Sequence, residues 1–317
     1  MAPTSPLQTL PPTINGTPAK PRPSPQLNVQ DVVLGNLWIK PWYPSFYPED
    51  LIGRKTEKLF VCEYCFKYSK DLLPFIAHRD VCALNKDGPP GTSIYEDGPV
   101  RIHEVDGEDY KLYTQNLSLL AKLFLDTKSV FYDVTTFLYY LLVYTDPTSS
   151  PPTTQVVGFF SKEKLSWDNN NLACILVFPP WQRKGFGQVL MGASYVLSKR
   201  EGRLGGPEKP LSEPGRKGYE RFWSATIARY LVSRPCKKPV TVKDISDETY
   251  IVPEDVIATL KDMGVLERKK RGSAEAVVNK VLVKRWMEAN GVSLKPPVDL
   301  DAFSLDEIEV EEEEEED

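Results

Sequence analysis

Cys62, Cys65, His78 and Cys82 combine the residue types and the spacing of a tetrahedral metal site: a C-x2-C knuckle, twelve intervening residues, then an H-x3-C pair one helical turn apart. Three of the five cysteines and one of the two histidines fall in this run. Three thiolates and one imidazole suit Zn²⁺. Four protein ligands leave no open coordination position, so the spacing predicts a structural zinc that holds a fold and does no chemistry. The competing reading, three buried thiols and a satisfied core histidine, requires four spacings to agree by chance.

A second constellation follows an apolar run of strand length, Asn171 to Phe178, stopped by Pro179-Pro180. It reads Gln182-Arg183-Lys184-Gly185-Phe186-Gly187 and opens a helical pattern from Gln188 to Lys199. Strand, glycine loop and helix N-terminus in succession expose backbone N–H groups beside the positive end of a helix dipole, which makes a cradle for a pyrophosphate. Gly185 and Gly187 let backbone approach a ligand without Cβ clashes, and Arg183 and Lys184 add full positive charge. The spacing fits neither a P-loop nor a dinucleotide fingerprint. Twenty residues on, Glu208 sits in the proline-stiffened Gly206-Pro207-Glu208-Lys209-Pro210, a segment suited to holding one carboxylate in place. Cys174 lies inside the apolar run, where burial would raise a thiol's pKa and make it a poor nucleophile.

The elements that must position these groups read as an α+β arrangement with a sheet core. Residues 1–27 are rich in Pro, Ser and Thr, with too few large apolar side chains for a core, and read as a disordered lead-in. Residues 28–98 carry aromatics, short strand-like pieces and the knuckle, a small zinc unit that needs packing help. Residues 99–231 form the core. It opens with Val100 to Val105, an Asp106-Gly107 turn and Tyr110 to Tyr113, which read as a hairpin. A helix follows over Asn116 to Leu125, then two strand-like runs, Val130 to Tyr144 and Gln155 to Ser161, split by a Pro/Ser/Thr loop. Within residues 232–297, Val242 to Leu266 reads as two helices around a turn, the second begun by Pro253, giving a winged-helix-like unit. Such a unit contacts DNA in some proteins and only packs in others.

The net charge of −5 hides an asymmetry: residues 298–317 hold twelve acids and no base, leaving the preceding 297 residues at +7. The basic body suits polyanionic partners, and the tail is expected to be disordered, able either to bind basic proteins or merely to solubilise. No stretch approaches the 18 apolar residues of a membrane span, and the N-terminus lacks a signal-peptide core. Thiols beside a thiolate metal site indicate a reducing compartment, cytosol or nucleus.

Taken together, the finger, EVDG (Glu104 to Gly107), QNLSLLAKLFLDTKSVFYDV (Gln115 to Val134), NLACIL (Asn171 to Leu176), QRKGFG (Gln182 to Gly187) and GPEKPLSEPG (Gly206 to Gly215) resemble the MYST family of histone lysine acetyltransferases over roughly residues 36–290. Within it, the short form without a chromodomain is similar to the fungal silencing-type subgroup. The resemblance implies a GNAT-like mixed sheet binding acetyl-CoA, flanked by the C2HC finger and the winged-helix-like unit. It implies Glu208 as general base, stripping a proton from a lysine ammonium whose reference pKa lies near 10.4. It places Cys174 beside the thioester carbon, either as an acyl acceptor or, in the favoured path of direct amine attack, as packing. Ile175 and Val177 are implied to offer backbone groups to the pantetheine arm, Gln182, Arg183, Lys184, Gly185, Phe186, Gly187 and Gln188 to cradle the pyrophosphate, and Ser212 to touch the cofactor. Lys128 matches the family's self-acetylated lysine. The implied substrate is a histone tail, H4 first, in a nucleosome. The implied setting is the nucleus, with accessory subunits of a chromatin complex.

The chain departs from the family pattern where Val177 replaces a usual threonine, Glu213-Pro214-Gly215 replaces an acidic-leucine-glycine turn, and Gly218 stands where serine is common. None removes a catalytic group. Two rival functions are a non-catalytic chromatin-binding module and a small-molecule N-acetyltransferase. The intact Glu208 and glycine loop speak against the first, and the zinc knuckle against the second.

Overall fold

The computed structural model describes residues 26–234, 240–268 and 276–304. The lead-in up to residue 25 and the acidic run from 305 lie outside the described residues.

At the N-terminal end, β1 (Val29–Leu34), β2 (Leu37–Ile39), β3 (Thr56–Val61) and β4 (Tyr68–Ser69) form a sheet ordered β2-β1-β3-β4. A short helix, α1 (Glu49–Ile52), connects β2 to β3. β1 and β3 run parallel, and the other pairs are antiparallel. Two helices follow, α2 (Leu72–Val81) and the single turn α3 (Leu84–Asp87).

The central sheet holds β5 (Thr92–Asp97), β6 (Val100–Asp106), β7 (Phe137–Asp146), β8 (Thr153–Glu163) and β9 (Cys174–Val177) in that order, each antiparallel to its neighbour. A parallel component enters as a bridge between Leu172 and Pro207. The two-residue period of a strand divides β7 between two cores. Tyr139, Leu141 and Val143 join the apolar residues of β1, β3 and the helix α4 (Lys111–Lys122). Tyr140 and Leu142 face α5 (Phe186–Arg200), α6 (Glu213–Ser233) and the C-terminal unit. The sheet is thus covered on both faces. That unit comprises α7 (Val242–Thr249), α8 (Pro253–Asp262), the hairpin β10 (Leu266–Arg268) and β11 (Ala276–Val278), and α9 (Lys280–Ala289), the helix-plus-wing layout expected.

Several boundaries differ from the sequence reading. The Asp106-Gly107 turn does not close a hairpin: β6 pairs with β5 and β7, and Tyr110 to Tyr113 lead into α4. Gly107 is required because a Cβ there would lie 2.0 Å from the Val134 carbonyl oxygen. Tyr113 is instead the first of a helical series of buried side chains that continues through Leu117 and Leu120. β5, counted with the zinc unit, belongs to the central sheet. The strand expected from Val130 begins only at Phe137. Residues 298–304, counted with the acidic tail, pack onto the body: Val298 is 4% and Phe303 3% exposed, and Ser304 N donates to the Ile94 carbonyl at 2.9 Å. Two apolar side chains anchor this strap despite the acids around them.

Candidate active site and zinc centre

β3 delivers Cys62 to the start of a tight knuckle. Cys62 N donates to the Lys67 carbonyl and Phe66 N to the Cys62 carbonyl, both at 2.9 Å, and Phe66 takes the left-handed backbone (φ 61°) that folds the loop back. α2 brings His78 and Cys82 round from the other side. The four ligand atoms lie within 4.8 Å of one another, and Cys65 Sγ is 3.1 Å from His78 Nε2. A hydrogen bond from Cys65 draws the Cys62 thiol down to about 5, and burial pushes Cys82 up. Three thiolates with an imidazole beside them are a donor set that Zn²⁺ completes, leaving one net negative charge. Around them, Arg79 on α2 grips Glu63 of the knuckle at 2.6 Å and reaches Asn36 Oδ1 at 3.1 Å, locking the two halves together.

The second site lies at the start of β9. Asn171 N donates to the Gly206 carbonyl and Glu208 N to the Leu172 carbonyl, both at 2.9 Å, so the Gly206–Pro210 segment is laid alongside the residues that enter β9. This close approach depends on Gly205, where a Cβ would lie 1.8 Å from the Asn169 carbonyl oxygen. Glu208 is thereby brought to a cavity of about 310 Å³ that Lys128, Tyr139, Ser161, Glu163 and Cys174 also line. Burial, and after it the Glu163 carboxylate, raises Glu208 above the usual carboxylate range. Lys128 is 5% exposed with its Nζ 3.9 Å from Cys174 Sγ, and burial lowers its ammonium against the opposing pull of that sulfur. A carboxyl group, a thiol and a desolvated amine therefore share one cavity.

From the other end of β9, Pro179–Trp181 turn the chain into the glycine loop. Gln182 Nε2 donates to the Val177 carbonyl at 2.8 Å, so this side chain fixes the loop to the strand. Arg183 (φ 62°) and Gly185 (φ 89°) adopt left-handed backbone, and Gly185 caps the fifteen-residue α5. A Cβ at Gly185 or Gly187 would meet no atom within 4 Å, which leaves open space beside the positive end of the α5 dipole. Arg183 and Lys184 are exposed beside it, whereas Phe186 is buried against Tyr144. Gln188 Nε2 bonds the Gly218 carbonyl at 3.1 Å and ties α5 to α6. Ser212 caps α6, its Oγ accepting from Gly215 N at 3.2 Å. A Cβ at Gly218 would lie 2.7 Å from Met191 Cε, the far end of a flexible side chain that can shift, so the structure does not require glycine there. Nothing in the structure explains Val177. Ile175 and Val177 lie on β9, at the end of the sheet order.

Sequence reasoning missed Glu163, Tyr139, Ser161 and Asp255. Asp255, on α8, holds Lys209 at 2.8 Å, forty-six positions away and next to Glu208. Its only sequence signal is an acid in the first turn of a helix, which commonly answers the helix dipole and nothing else.

A family model described as the MYST family zinc finger domain matches residues 27–82, and one described as the MOZ/SAS family matches residues 88–302. The chain is 41% identical over 254 residues to the histone acetyltransferase MOF of Drosophila melanogaster, covering 80% of this chain and 30% of the relative. It is 42% identical over 246 residues to the histone acetyltransferase Tip60 homolog of Caenorhabditis elegans, covering 77% and 52%. To the histone acetyltransferase SAS3 of Saccharomyces cerevisiae it is 38% identical over 267 residues, covering 78% and 32%. The chain thus spans between a third and a half, roughly, of the length of these relatives. The two family models leave only residues 83–87 between them and together enclose the metal quartet, the glycine loop and the Glu208 segment, and the chain belongs to the MOZ/SAS family.

Proposed function

We propose that this chain transfers acetyl from acetyl-CoA to the ε-amine of a histone lysine, with the H4 tail as first substrate. The observation that carries the reading is the shared cavity of Glu208, Cys174 and Lys128 at one end of β9, with open space at the glycine loop before α5 at the other. A thioester lying along β9 would have its phosphates at Arg183 to Gly187 and its acyl group at Cys174. The relatives named above are histone acetyltransferases, which supports the same assignment.

In the proposed reaction the substrate lysine arrives as an ammonium and gives one proton to Glu208, whose raised pKa makes it a better base. The amine lone pair attacks the thioester carbonyl carbon. The C–S bond breaks, the thiolate leaves and takes up a proton, and the new amide loses the second nitrogen proton. Cys174 packs beside the carbonyl without forming a bond. Lys128, held in the same cavity, becomes acetylated, which removes a buried charge. Zinc supplies structure only. A nuclear location, accessory subunits and DNA contact through the C-terminal unit belong to the same proposal, although the wing tip at 269–275 lies outside the described residues.

The test is incubation of purified protein with acetyl-CoA and core histones, with modified lysines read by mass spectrometry. Glu208→Gln should retain the fold and lose turnover by about 10²-fold or more at neutral pH. Absence of transfer by the unaltered protein, or an undiminished rate in Glu208→Gln, rejects the assignment.

A further inference from the structure

The acceptor cavity does not end at Glu208. A groove of about 520 Å³ shares Glu163, Glu208 and Lys209 with it and continues over Trp167, Asp168, Val252 and Asp255. Four acids line this groove against one base, Lys209, and that base is already engaged by Asp255. Asp255 is an independent sign of a ligand: it is 7% exposed, one carboxylate oxygen holds Lys209, and the other, Oδ2, is buried without a partner among the described residues. Half of a buried carboxylate is therefore uncompensated at the groove floor, an arrangement that favours a cation above it. On the rim Trp167 is 100% exposed. An indole left wholly in water beside carboxylates is half of a cation–π site.

The structure assigns this groove, we infer, to a cationic side chain, lysine or arginine, that flanks the acceptor lysine on the same peptide. The inference rests on the proposed acetyl transfer and adds a sequence requirement to it. When the acceptor amine occupies the cavity with Cys174, the neighbouring peptide residue enters the groove, its charge facing Asp168, Glu163 and Asp255 and its stem on the Trp167 ring. The flanking cation also opposes the effect of Glu163 on Glu208, so binding and proton acceptance are linked through one set of charges.

The test uses the full chain and two fluorescent peptides of one sequence, differing only in whether the residue beside the lysine is arginine or citrulline. Affinity by anisotropy and acetylation by mass spectrometry are measured separately. One exposed ion pair plus one exposed cation–π contact gives about a tenfold preference for arginine, shrinking as salt rises. Trp167→Ala/Asp168→Asn, both at exposed positions, should bring the ratio of affinities close to one. Equal affinity of the two peptides for the unaltered protein, or a preference unmoved by the double substitution, overturns the inference. The two readouts separate the claims: a preference in binding without turnover keeps the groove and rejects the acetyl transfer, whereas turnover without a preference does the reverse.

Discussion

Replacing Cys65 by Ser should unfold the metal-binding half of the N-terminal region and leave its sheet in place. The ten-residue helix α2 buries only Phe75, and the cluster around the quartet is otherwise Cys62, Cys82 and their half-buried neighbours. Burying one phenylalanine contributes about 1.5–3 kcal/mol. Ordering ten residues costs about 10 kcal/mol at the lower end of the usual range. The shortfall, about 7–8.5 kcal/mol, is less than a structural zinc supplies, about 10–16 kcal/mol for small zinc units, so the metal can cover it. β1 and β3 are differently placed. Val32, Leu34, Leu59 and Val61 belong to the large core shared with α4, and Ser45 Oγ and Trp42 N bond the carbonyls of Leu119 and Leu123. The assay is hydrogen exchange read by mass spectrometry, alongside metal content. Residues 72–88 should lose protection in Cys65→Ser, while 29–34, 56–61 and the β4 pair 68–69 keep most of theirs. Unchanged zinc content, or protection lost equally in β1, β3 and α2, would refute the reasoning.

Three further outcomes are expected. Glu163→Gln should move the acidic limb of the pH–rate profile to lower pH, because Glu163 helps hold Glu208 up: the base is active only when ionised, and a lowered pKa keeps it ionised further down; an unmoved limb excludes this coupling. Cys174→Ala should keep most of the turnover if the amine attacks directly, and a loss as large as that of Glu208→Gln would favour an acyl-cysteine path. Deleting residues 305–317 removes ten acids and no base, taking the net charge from −5 to +5, and should tighten nucleosome binding at low salt while peptide acetylation barely changes; equal nucleosome binding by the two forms in a salt series would make the tail a passive solubiliser.

What could be read in advance was whatever is written locally. The metal quartet needs four residues at fixed intervals, and the glycine loop needs a strand, two glycines and a helix in sequence. The Glu208 segment was visible through its prolines, yet not its support: Asn169, Leu172 and Asp255 reach it only in the folded chain. The stretch from Tyr110 to Tyr113 resembles a strand in composition and became helix because its one buried side chain, Tyr113, continues the period of Leu117 and Leu120. Trp167 stands in a polar loop where no periodicity points to a use. Phe303 and Val298 were hidden by the acids around them, since average composition conceals single anchors.

Tyr95 and Phe303, 4.7 Å apart between ring centroids and joined by a bridge, have a consequence for aggregation. An open sheet has two borders at which a foreign backbone can add. Here one border, β9, is the strand proposed to receive a ligand, and the other, β5, is closed over part of its length by the strap through Phe303. Cutting the chain at residue 298 would remove that cover together with the charge, exposing hydrogen-bonding groups of β5 that could recruit a second molecule. A charge-only experiment must therefore cut after Ser304, and the shorter truncation should self-associate.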